Sequence, residues 1–136
     1  MKNIALLFVV TFVCTFFAML AQGEELIYRP AIDSDGVQRA EIIGGGYFFK
    51  PNRVIVKVDV PVELKLKKES GIVPHNFVIK APEAGVDIDI SLGTEPKVVK
   101  FTPTKPGRYT FHCGKKLLFF ESHEEKGMKG VLEVVE

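Results

Sequence analysis

The chain is poor in the residues that most often commit a protein to catalysis or to nucleic acid. It has two cysteines and three histidines among 136 residues. Its 18 basic and 17 acidic residues nearly cancel, so it lacks the basic excess of a nucleic-acid-binding domain and no such partner is expected. Beyond residue 23 no apolar stripe at i, i+3, i+4 spacing persists for three turns, which argues against a helical fold. Internal repeats and low-complexity linkers are missing as well.

What is there begins with an export pattern. Lys2 precedes the apolar run Ile4 to Leu20, then Ala21-Gln22-Gly23 offers a small-x-small cleavage site before Glu24-Glu25. This reads as a secretory signal peptide over residues 1–23. The alternative is an uncleaved N-terminal anchor, since the run approaches a spanning length. Cleavage leaves residues 24–136 as one domain, formally neutral because Lys2 departs, with no remaining membrane span and expected to be monomeric. Cys14 departs too. Cys113 is then an unpaired thiol in an oxidising compartment, secreted or periplasmic, and must be either buried and inert or held as a metal thiolate.

The remainder has period two. Val62, Leu64 and Leu66 alternate with Glu63, Lys65 and Lys67, and Val86, Ile88 and Ile90 with Asp87 and Asp89. Further strands are expected at Val37 to Ile43, Tyr47 to Phe49, Val54 to Val60, Ile72 to Lys80, Lys97 to Thr102 and Arg108 to Cys113. Asp33-Ser34-Asp35-Gly36 lacks the other acidic positions of a calcium loop and reads as a turn, and Gly44-Gly45-Gly46 as a bulge or flexible corner. About seven or eight short strands punctuated by Pro and Gly predict an all-β, Greek-key sandwich.

The last thirty residues carry the chemistry. Cys113, His123 and Met128 stand in a C-x9-H-x4-M arrangement between two expected strands. Thiolate with imidazole selects copper, and a Cys-His-His site with a weak axial Met is the electron-transfer version. A second imidazole comes from His75, which shares the inward face of its strand with Phe77 and Ile79. Each has a plainer reading: a core histidine for His75, an inert buried thiol for Cys113, packing for Met128. Their joint presence favours ligands.

These motifs together resemble the cupredoxin family, the plastocyanin, azurin and pseudoazurin group. The carriers are Tyr47-Phe48-Phe49-Lys50-Pro51, Val73-Pro74-His75-Asn76-Phe77, Pro106 to Cys113, His123, and Gly127-Met128-Lys129-Gly130. The resemblance implies a cupredoxin-like sandwich holding one type 1 copper, with His75, His123 and Cys113 as ligands and Met128 as the long axial contact. Asn76 would brace the Cys-bearing loop by a hydrogen bond. His112, beside the thiolate but on the opposite face, matches a position that binds a second, catalytic copper in related enzymes. Three histidines are too few for such a centre, and Leu117 stands where a binuclear copper site would need its second Cys.

The loop departs from the family. Nine residues separate Cys113 from His123, more than in well-known members, and Glu121 or Glu124 could replace Met128 as fourth ligand. Leu117, Leu118, Phe119 and Phe120 either form a docking patch for a redox partner or fold back on the core. The expectation is an exported one-electron carrier and not an enzyme, because a Cys–His nucleophilic pair would lack any oxyanion or substrate motif. A copper carrier or store that supplies an oxidase or reductase is the alternative, and a metal-free interaction domain the third.

Overall fold

The computed structural model describes residues 23–116 and 121–136. Residues 1–22 of the expected 1–23 leader and the Leu117 to Phe120 run lie outside them. Ten strands follow in order: β1 (Ile27–Tyr28), β2 (Gln38–Gly45), β3 (Phe48–Lys50), β4 (Arg53–Lys57), β5 (Val62–Lys68), β6 (His75–Ala81), β7 (Val86–Leu92), β8 (Lys97–Phe101), β9 (Gly107–His112) and β10 (Lys129–Val135). They form two sheets, ordered β1-β4-β10-β9-β6-β7 and β3-β2-β5-β8. This is the expected all-β sandwich. The strand not among those expected is the two-residue β1.

Alternation explains the layers. On β5, Val62, Leu64 and Leu66 are buried while Lys65 is exposed, so one face meets the facing sheet and the other meets water. On β6, His75, Phe77, Ile79 and Ala81 point inward. Phe77 and Phe111 stack at 5.0 Å between centroids, and Phe49 from the other sheet meets both edge-on at 5.6 and 5.4 Å. Three interlocked rings thus join the sheets just beneath the ends of β6 and β9.

Three of the shifts in expected strand boundaries have a backbone reason. The sixth strand starts at His75 and not Ile72, because Pro74 has no N–H to enter a ladder, and Ile72 is fully exposed. The Val54 to Val60 run stops at Lys57, since Asp59 is left-handed at φ 59°. Tyr47 belongs to a turn and not to a strand: Gly46 and Tyr47, at φ 52° and 62°, link β2 to β3 with the positive φ signs of a two-residue hairpin turn.

A buried polar side chain secures the bend after β4. Gln38 accepts a hydrogen bond at Oε1 from the Lys57 N–H (2.7 Å) and donates from Nε2 to the carbonyls of Lys57 and Val60 (3.2 and 3.3 Å). Its amide is fully used, which offsets the cost of burying it.

The C-terminal strand fits only because it begins small. A Cβ on Gly130, opposite Phe111 in the ladder, would sit 2.4 Å from both the Phe111 ring and the Asn52 carbonyl oxygen. The ring is locked in its cluster, and the carbonyl accepts from Val131 N–H. Gly130→Ala should therefore destabilise the protein by about 3 kcal/mol, the upper part of the usual overpacking range. Urea unfolding checks this, and a loss below about 1 kcal/mol would show that the contact relaxes freely.

Candidate metal centre

His75, Cys113 and His123 converge at one end of the sandwich, and all three are buried. Each arrives by a different route. His75 is the first residue of β6, paired with Leu92 of β7, and inward parity aims it to the core side. Cys113 follows the last residue of β9 and keeps the inward parity of Phe111. His123 comes from the turn between Cys113 and β10.

That turn is built by local hydrogen bonds. Ser122 Oγ accepts from Glu125 N–H at 3.2 Å while Glu125 Oε2 accepts from Ser122 N–H at 2.6 Å, the reciprocal pattern of a capping box. His123 N–H donates to Lys115 O, Met128 N–H to His123 O, and Cys113 N–H to Met128 O. Cys113, His123 and Met128 are therefore linked through their own backbones. Met128 is fully buried in the same core cluster. Its methyl lies where a Cβ on Gly44 would approach to 3.0 Å, so Gly44 makes room for the thioether.

The donor atoms nearly touch. His75 Nδ1 and His123 Nδ1 are 3.2 Å apart, and Cys113 Sγ lies 3.9 and 3.4 Å from them. A point equidistant from the three atoms is about 2.0 Å from each, the length of a metal–imidazole bond. Two ring nitrogens and a sulfur directing lone pairs into one dry space repel one another unless a proton or a cation lies between them. The set therefore fits a soft metal ion. Among the described residues no carboxylate joins these three donors. Glu121 lines a neighbouring cleft of about 480 Å3, and Glu124 Oε2 is 3.9 Å from His112 Nε2 on the outer side of β9.

Asn76 touches both sides of the junction. Its backbone N–H donates to Cys113 Sγ at 3.4 Å, and its Oδ1 accepts from Gly114 N–H at 2.8 Å. Nδ2 donates to Asp89 at 3.3 Å. Two features escaped the sequence reading. Gly44 continues the inward parity of Gln38, Ala40 and Ile42, so its missing side chain was a legible signal. Tyr47 meets the His123 ring edge-on, with centroids 5.0 Å apart and planes at 72°, although a left-handed aromatic residue costs roughly 1–2 kcal/mol.

Both imidazoles are held below the ordinary histidine range. Burial is the main cause for each, followed for His75 by the charges of His123 and Lys68 and for His123 by Lys126. The neutral rings that result are the form that binds metal.

Comparison with known proteins places these features in a wider set. A family model described as Cupredoxin-like domain matches residues 6–134. No curated protein matches the sequence. Among solved structures, the metal-binding domain of a Streptococcus pneumoniae Cu(I)-exporting P-type ATPase, with Cu(I), is 24% identical. That match covers 84% of this chain and 100% of the other, with a TM-score of 0.60. Auracyanin A, a "blue" copper protein from Chloroflexus aurantiacus, is 22% identical over 74% of this chain and 100% of its own, with a TM-score of 0.54. Reduced auracyanin from Roseiflexus castenholzii is 20% identical, with 85% and 100% covered and a TM-score of 0.54. At these identities the likeness is one of fold.

The lowered imidazole pKa values set a pH dependence for the metal-free protein. Between the ordinary value near 6.5 and the lower folded values the unfolded chain binds more protons, so stability rises with pH through that window. Stability should be level above about pH 7 and fall as pH drops below about 6.5. In His75→Gln/His123→Gln the slope between pH 6.5 and 5.5 should flatten, as read by urea midpoints; an unchanged slope would assign it to other groups.

Proposed function

Because the chain belongs to the cupredoxin-like domain family and its donor set fits a single type 1 copper, we propose that it is an exported one-electron carrier. The observation that supports this most is the triangle of His75 Nδ1, His123 Nδ1 and Cys113 Sγ with sides of 3.2 to 3.9 Å. These atoms would bind the copper, with Met128 as the axial contact. Bound there, copper supplies one-electron cycling between Cu(II) and Cu(I).

The protein's part is to keep the donors still. His75 rides on the β6–β7 ladder, and the Cys113 segment is tied to Asn76 through Gly114. The Asn76 N–H aimed at Sγ orients the sulfur and would temper the electron density of a metal-bound thiolate. Holding one geometry for both oxidation states limits rearrangement during transfer. No general acid, base or nucleophile is needed for such exchange. On composition alone, Leu117 to Phe120, between two ligands in sequence, are the proposed contact for a redox protein partner. Export rests on the Lys2 to Gly23 leader pattern.

Titrating the purified protein, without residues 1–23, with Cu(II) should give an intense thiolate-to-copper band at one equivalent and a matching paramagnetic-resonance signal. Cys113→Ser should abolish the band. Absence of a band in the wild type, or a tight colourless zinc complex that copper cannot displace, would overturn the reading. Reversible one-electron voltammetry should follow, whereas irreversible voltammetry with rapid handover to a chelator would favour a copper carrier.

A further inference from the structure

We propose that Tyr47 positions and shields the His123 imidazole and so governs how slowly copper leaves; this rests on His123 being a ligand, as proposed above. The two histidines differ in scaffold. His75 sits in a strand ladder, but His123 sits in a turn and is held by backbone bonds to Lys115 and Met128. A metal-binding histidine usually gains its ring orientation by donating its second ring N–H to a carbonyl, carboxylate or water. Among the described residues no such hydrogen bond reaches His123 Nε2.

Tyr47 packs against the His123 ring. Its ring meets the imidazole edge-on at 5.0 Å, and Lys126 Nζ lies 4.5 Å from the Tyr47 centroid. Tyr47 thus contacts both the imidazole and the Lys126 ammonium, which lies over its electron-rich ring. Tyr47 and His123 both line the cleft beside the centre, yet His123 is only 4% exposed. A chelator or competing ligand arriving through the cleft meets the aromatic ring as well as the imidazole.

The backbone at Tyr47 points the same way. Its φ of 62° is a conformation that Asn or Gly adopts more readily than an aromatic residue. A hairpin chosen for turn quality alone would not place tyrosine there, and strain of this kind collects at functional positions. The strained position is the one that aims the ring at His123.

The test compares Tyr47→Asn, which suits the left-handed backbone but lacks the ring, with Tyr47→Phe, which keeps the ring. Relief of the backbone offsets the lost contact, so metal-free Tyr47→Asn should unfold close to the wild-type midpoint. Its copper should transfer to a chelator about tenfold faster, in line with the effect of removing a group that orients a ligand, followed by decay of the thiolate-to-copper band. Tyr47→Phe should release copper at the wild-type rate. Wild-type release from Tyr47→Asn, or equally fast release from Tyr47→Phe, would overturn the proposal. NMR of the metal-free proteins separates the two readings. Broadened His123 ring resonances in Tyr47→Asn alone support the positioning role even if no copper band forms, and unchanged resonances sink it.

Discussion

The stacking of Phe77 on Phe111 is the contact on which the centre depends. Each ring lies two residues from a donor, Phe77 from His75 and Phe111 from Cys113. Since side chains alternate along a strand, seating the two rings together places the imidazole and the thiol one step further along the same face. Backbone pairing between β6 and β9 is sparse, with Val78 opposite His112, so side-chain packing sets how closely the strands approach there. Phe49 closes the arrangement from the opposite sheet. The donor triangle is thus an extension of the hydrophobic core, and its dryness follows from that origin.

The turn bearing His123 solves a different problem. Its segment is long, and closing a longer loop costs entropy, though only slowly with length. Short-range bonds compensate: Ser122 with Glu125, Lys126 with Ser122, Gly127 with Glu124. These make a self-supporting knuckle close to the donor residue. The Cys113–Met128 and Met128–His123 backbone bonds then couple the knuckle to the start of β10. Among the described residues, this knuckle sets the spacing between His123 and Met128.

How far the sequence revealed this depends on how local each determinant is. The alternation in β5 and β7 was legible because burial of one face imposes period two, and the inward parity of His75 and Cys113 was legible for the same reason. The meeting of His75 with Cys113 was not, because it depends on which strands become neighbours. Resemblance of motifs supplied that expectation. Tyr47-Phe48-Phe49 looks extended from its residue types, but the ladder of Ile43 with Lys50 leaves just Gly46 and Tyr47 to turn the chain. Gln38 went unremarked because its value lies in carbonyls around Val60 that come near only after folding.

The position of β10 has a temporal consequence. It lies between β4 and β9 and pairs in parallel with β4, from a distant part of the chain, a non-local contact of the kind that slows folding. Until β10 arrives, Met128 has not joined the core cluster it shares with Cys113, and the Cys113 N–H lacks its carbonyl partner. A newly made chain therefore passes through an interval in which the Cys113 thiol is uncovered. Completion of the sheet ends that interval, so the final strand acts on cysteine chemistry as a closing door.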